Sequence, residues 1–369
     1  METRKEKKVA ENKIIQFIKP CRAPTEGHRL LTPEYTLEVL KQKRIVQINL
    51  DNCSIRRMEN LSIKPTMDEV IEQGLLPLVE ILQKGNVCLT AIGIHERPHN
   101  KVAKAKLAYE NFCANFWPNH RNDVEATHRT YDETSTDRNV NFKSLDDGAR
   151  CLYGCGYISL LQIQNIRKKY AEKSPEEQFE IYIHSIIIML DIVSVFELEL
   201  AKYAFWFLTV NEERQLPDNI RLRRKDIKEN FTKLQNNLEK CKHFSFNGTM
   251  DIHWLSSANF AEDLNQTFKL GTTEFLLDNW VGTNDNKLYR ISKDIHSVYY
   301  EGSTMKQLAT SREKHLKSSK YWEHVDSVSD YVLMQRKRSG YRNIDNLLER
   351  IDRSVVHLED ELSKFFSYK

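Results

Sequence analysis

The segment Gly93-Ile94-His95-Glu96-Arg97-Pro98-His99 sets two histidines four residues apart around a glutamate. On a helix that spacing holds Zn²⁺ between the histidines while the glutamate activates a water, which is the chemistry of a zinc metalloprotease. Two neighbours oppose this reading. Residues 86–94, NVCLTAIGI, alternate and branch like a strand where a zinc-protease helix should already be running. Pro98 inside such a helix would remove a backbone hydrogen bond and clash one turn back, at a cost of about 3 kcal/mol. His95-Glu96-His99 is therefore the weakest of the alternatives, and Glu96 reads instead as a carboxylate just past a strand end.

Three other carboxylates fall in comparable places. Asp51 follows the strand-like run KRIVQINL, and Asp285 follows LDNWVGT and the pair Thr283-Asn284. Asp251 sits in GTMDIHWLSSANF, in what the pattern predicts to be the first turn of a helix. Carboxylates brought together raise one another's pKa unless a cation fills the gap. An all-oxygen set of this kind suits Mg²⁺ or Mn²⁺. The plain alternative is that the four are helix caps and turn residues of a metal-free domain.

The elements that must position them are written in the hydrophobic pattern. A strand over 43–50, a helix within 66–85 ending at Lys84-Gly85, and a strand over 86–94 make a right-handed βαβ unit. Its two strand ends, with Asp51 and Glu96, then lie on the same edge of a parallel sheet, where ligand sites of open α/β sheets form. Helical patterns follow over 101–117, 150–172, 176–211 and 219–241, with a polar stretch over 118–148. In the second of the long patterns His184 and Asp191 are seven apart and share a face, which makes Asp191 a candidate fifth carboxylate or a core polar group with a partner. The division expected is an N-terminal extension (1–41), an α/β core (42–100 and 245–300), a helical insertion (101–244) and a helical C-terminal region (301–369). The amphipathic run NIDNLLERIDRSVVHLEDELSKFF in the last part suits packing on the body or self-association with a partner helix.

The order RIVQINLDN, TAIGIHE, MDIHWLSSAN and VGTNDNKL resembles the PIN-like nucleases, most closely at WVGTNDNKLYRI, an apolar strand followed by Thr-x-Asp. The resemblance covers about 43–100 and 245–295. It implies a PIN-like three-layer α/β core with a central, mostly parallel sheet, here carrying a large α-helical insertion and a helical C-terminal segment. It also implies catalytic, metal-binding roles for Asp51, Glu96, Asp251 and Asp285, with Asn52, Thr283 and Asn284 as supporting polar groups. Mg²⁺ or Mn²⁺ would be the cofactor and RNA the substrate, cut by phosphodiester hydrolysis in a toxin, a defence effector or an RNA-processing enzyme. Where the family has a small hydroxyl residue and then Asn after the first aspartate, this chain has Asn52-Cys53-Ser54. Arg97 beside the site and the basic run Arg221, Arg223, Arg224 are candidate RNA contacts. The competing reading is a catalytically silent PIN-like scaffold or RNA-binding protein that acts through its helical regions.

Composition excludes less than it permits. With 369 residues, 40% hydrophobic and 29% charged, the chain can build a sizeable core without staples, and only 12 glycines argue against glycine-rich phosphate loops. A net charge of +3 gives little support to a whole-molecule attraction for nucleic acid. Seven scattered cysteines, Cys151 and Cys155 the nearest pair, fit reduced thiols better than a disulfide frame or a zinc site. The charged N-terminus and the lack of a long apolar run predict a cytoplasmic protein without a membrane span.

Overall fold

The computed structural model describes residues 14–19, 30–117, 141–192, 195–263, 267–270, 272–292, 295–299, 306–310, 312–338 and 345–367. In chain order the first elements are β1 (Gln16–Ile18), α1 (Pro33–Lys41), β2 (Arg44–Leu50), α2 (Asn52–Met58), α3 (Met67–Glu72), α4 (Leu76–Lys84), β3 (Val87–Thr90) and α5 (His99–Phe116). Six helices follow: α6 (Asp147–Lys169), α7 (Pro175–Leu190), α8 (Val195–Phe205), α9 (Val210–Gln215), α10 (Asp218–Asn230) and α11 (Leu238–Asp263). The chain then returns to strands with β4 (Thr267–Leu270), β5 (Thr273–Thr283), α12 (Asn286–Ser292), β6 (Ile295–Tyr299) and β7 (Lys306–Thr310), and ends on α13 (Lys314–Lys317), α14 (Lys320–Arg338) and α15 (Leu347–Ser367). No described helix is long and apolar enough to cross a membrane. Two compact units result, one from 1–140 and 254–309, the other from 141–253 and 310–369.

The first unit is built on a mixed five-stranded sheet in the order β1-β5-β2-β3, with β4 also pairing β5. β2 runs parallel to both β3 and β5, while β1 and β4 are antiparallel to β5. β2 is central for a reason visible in its residues: Ile45, Val46, Ile48 and Leu50 are all fully buried, as a parallel strand covered on both faces requires. On one face Val46, Ile48 and Leu50 join Leu78 and Val79 of α4 and Tyr109 and Phe112 of α5 in one core. On the other, Ile45, Cys88 and Leu277 pack with Phe268 and Phe275. The helix connection between the parallel strands β2 and β3 is the βαβ unit expected, and Gly85 closes α4 as its C-cap.

The boundaries differ from expectation at both ends. Residues before 42 are part of this unit, since β1 pairs with the end of β5, and Ile15, Leu31 and Val39 enter the core. α5, expected in the insertion, contributes Val102, Ala105 and Phe116 to the same core. β3 also stops at Thr90, and Ile92–Glu96 form a 3₁₀ turn in place of the last strand residues. Gly93 explains it: a Cβ there would lie 2.4 Å from the backbone N of Asn52 and 2.4 Å from the carbonyl carbon of Asp51. A strand cannot approach that junction so closely, and a side chain cannot fit.

The second unit is helical. α15 packs along α6, where Ile351 lies so near Gly154 that a Cβ would come within 2.6 Å of it, so the amphipathic C-terminal run is spent on its own unit. The pattern over 176–211 splits into α7, α8 and the short α9, because Asp191 ends α7 in the left-handed region at φ 54°. Asp191 is thus a helix end rather than part of a continuous face. α11 runs unbroken through Gly248, whose Cβ position lies 2.9 Å from Leu160 and 3.2 Å from Phe231. That glycine serves close packing and starts no helix. Arg312 is buried between Glu199 and Asp326, donating through Nη2 to Glu199 Oε2 (2.6 Å) and through Nε to Asp326 Oδ2 (2.8 Å). Lys202 reaches Asp326 at 2.8 Å, and the Arg312 guanidinium lies 4.2 Å from the centroid of the Trp322 ring.

Candidate acidic site

Asp51 is buried at the junction where β2 ends and α2 begins. Its backbone N–H extends the parallel ladder to Gly282 O at 3.1 Å, so it is held by the sheet before its side chain makes any contact. Oδ1 accepts from the Ser54 N–H at 2.9 Å as the N-cap of α2, and Oδ2 accepts from the Thr283 hydroxyl. Thr283, the last residue of β5, also accepts from the Asp285 N–H at 2.8 Å. Asp285 Oδ1 in turn accepts from the Lys287 N–H at 2.8 Å, which starts α12. Thr-x-Asp therefore works as a relay: one hydroxyl orients Asp51 and fixes the loop that carries Asp285. The orienting residue on α2 is Ser54, whose hydroxyl donates to Gly282 O (3.1 Å) and Asn284 Oδ1 (3.0 Å). The run Asn52-Cys53-Ser54 leaves that residue open in the sequence; the helical turn after Asp51 brings Ser54 to this point.

Glu96 closes the 3₁₀ turn after β3 and is half-buried. Its Oε1 accepts from the Trp254 indole N–H at 2.6 Å, and its carboxyl also bonds the Asn52 side chain. Neither the indole nor this use of Asn52 was legible beforehand, since Trp254 follows from no spacing rule. Burial pushes Asp51 up to about 6, opposed by the Thr283 and Ser54 hydrogen bonds and reinforced by the charge of Asp285. Burial pushes Glu96 further, to about 8, with the charge of Asp51 as the second cause and the Trp254 and Asn52 hydrogen bonds opposing. The carboxylates thus form a chain of like charges, Asp285 to Asp51 to Glu96. They do not form a closed nest: among the described residues no group of three His, Cys, Asp or Glu is drawn together closely enough to hold an ion.

Asp251 was expected in the first turn of a helix. It lies in the middle of α11 rather than in a first turn, and it belongs to the second unit. The zinc motif is not on one helix: His95 is in the 3₁₀ turn, Pro98 is the N-cap of α5 and His99 its first residue. The side chains of His95 and His99 lie outside the described residues.

The proposed RNA contacts are mostly committed elsewhere. Arg97 is buried and paired with Glu59 at 2.5 Å. Arg223 is buried, donating to the Tyr203 hydroxyl at 2.7 Å and forking onto both oxygens of Glu313 at 2.7 and 2.8 Å. Arg224 is buried against Glu213, with Nη2 on Trp206 O at 3.2 Å. Arg221 is more exposed and pairs with Asp218 one helical turn back. Arg223 and Arg224 recur with apolar neighbours on α10, so what reads as a basic stripe is two buried guanidiniums with carboxylate partners. Comparison of the chain with protein-family models, with curated proteins and with solved structures finds no match, so the site rests on its own geometry.

Proposed function

We propose that the first unit is a divalent-metal-dependent ribonuclease that hydrolyses RNA phosphodiester bonds. The observation that supports it is Asp51: a buried carboxylate at the tip of the central parallel strand, with Asp285 just past the end of β5 and Glu96 at the end of the 3₁₀ turn after β3 as its like-charged neighbours. Such a chain of like charges is the donor chemistry that Mg²⁺ or Mn²⁺ neutralises. Asp51, Glu96 and Asp285 are the residues that would hold the ion. When bound, the ion lowers the pKa of a coordinated water and steadies the leaving oxygen.

The protein's own groups do the rest. Thr283 and the Ser54 N–H fix the orientation of Asp51. Trp254 fixes Glu96 in the same way. Ionisation of Asp51 and Glu96 is coupled to cation uptake, so binding near neutral pH releases protons. The test is labelled single-stranded RNA incubated with Mn²⁺, Mg²⁺ or a chelator. Cleavage with either ion, none in the chelator, and 5′-phosphate product ends are expected. Cutting in the chelator, or 2′,3′-cyclic phosphate ends, overturns the reading.

A second reading, a silent scaffold, rests on a specific observation too. Both oxygens of Asp51 are already used, one as a helix cap and one by Thr283, as a purely structural aspartate would be. It predicts RNA retention without cleavage under every metal condition.

A further inference from the structure

The second unit carries a cleft that the acidic site does not explain. Its volume is about 450 Å³, within the roughly 300–1,000 Å³ of small-molecule sites. The walls come from the end of α6, the start of α7, the irregular segment after α8, and α10. Four cations line it, Arg167, Lys173, Arg224 and Lys228, against the single carboxylate of Glu213. Glu213 is already engaged by Arg224, and Lys173 by Glu177 outside the cleft.

Arg167 is the telling residue. Its Nη1 donates to the backbone carbonyl of Thr232 at 2.5 Å, and no described carboxylate pairs with it. Burial and the charge of Arg224 both press its pKa down. Arg224 is itself 6% exposed, 5.3 Å from the centroid of the Trp206 ring, and its Nε has no acceptor among the described residues. Arg224 has Glu213 as its carboxylate while Arg167 beside it has only a carbonyl, so the pair is short of one negative charge, and burial makes that shortage costly. The planar forks of arginine match phosphate, which would relieve it.

The cleft also offers a ring. Phe207, 73% exposed, lies in the irregular segment, with Leu208 and Leu234 completing an apolar rim. An open aromatic face beside guanidiniums suits a planar base with a phosphate attached. We propose that this cleft is a binding site for a nucleoside monophosphate, its phosphate on Arg167 and Arg224 and its base against Phe207. The assignment is independent of the ribonuclease reading, because it uses no residue of the acidic site.

The experiment is calorimetric titration of the full chain, in chelator to exclude ion-dependent binding, with AMP, GMP, CMP and UMP separately, and with inorganic phosphate and adenosine as partial ligands. At least one nucleotide binds near one per chain, more tightly than either partial ligand. Phe207→Ser and Lys228→Glu, both at exposed positions that leave the fold intact, weaken it by about tenfold each, and Arg167→Met weakens it further. Failure of all four nucleotides at about 1 mM, inorganic phosphate binding as tightly as the best nucleotide, or wild-type affinity in both exposed variants overturns the proposal. So does binding of an RNA oligonucleotide through the same residues with no mononucleotide binding.

Discussion

Asp51 and Glu96 are carboxyl groups that the fold makes reluctant to ionise, and this sets a pH dependence of stability. Asp51 rises from 3.8 to about 6 and Glu96 from 4.5 to about 8. Between the unfolded and folded values the native state holds more protons than the unfolded chain, so unfolding becomes easier as pH rises. Without divalent ions, the melting temperature should fall from about pH 4 to about pH 8, and Glu96→Gln should flatten the upper part of that slope while Asp51→Asn flattens the lower part. Thermal scans in chelator check this; a melting temperature that climbs across the same window contradicts it. Gly93 is the other residue on which the site depends. Gly93→Ala places a methyl against the Asp51–Asn52 backbone and should cost about 1–3 kcal/mol in a urea titration, by overpacking a junction that has no side chain to yield.

At the scale of elements, hydrophobic period carried most of the information. β2 and the parallel return to β3 were legible because Arg44–Leu50 carries Ile45, Val46, Ile48 and Leu50 and ends sharply at Asp51. Local geometry was not legible, because it depends on contacts far away in sequence. β3 gives way to a 3₁₀ turn where Gly93 meets the β2–α2 junction, and α11 continues through Gly248 where Leu160 and Phe231 leave no room for a side chain. The same limit applies to charges. Arg223 and Arg224 look solvated in the sequence, and Glu313, one of their partners, lies far along the chain. The buried Arg312 network is of this kind: Glu199, Lys202 and Asp326 come from α8 and α14 and meet only in three dimensions. Arg312→Met leaves Glu199 without its fork and should destabilise the protein by about 3–5 kcal/mol, read as a lower denaturant midpoint. A change within about 0.5 kcal/mol would mean the network contributes nothing net.

At the scale of the whole molecule, the chain builds one α/β unit and one helical unit, passing between them after residues 140, 253 and 309. β1 and α5 belong to the sheet-bearing unit although their local patterns are ordinary, and they reveal their membership only by what they pair with and bury. Of the four carboxylates, Asp51 and Asp285 follow the ends of β2 and β5 and Glu96 closes the 3₁₀ turn after β3, all in the α/β unit, and Asp251 is counted with the helical unit. The ribonuclease account therefore places its weight on three residues. The measurement that tests it most directly is the single-turnover cleavage rate of RNA in Mn²⁺ by the wild type, Asp51→Asn and Asp285→Asn. The account predicts a loss of about 100-fold or more in each variant, with folding intact by circular dichroism, and wild-type rates in both folded variants would contradict it.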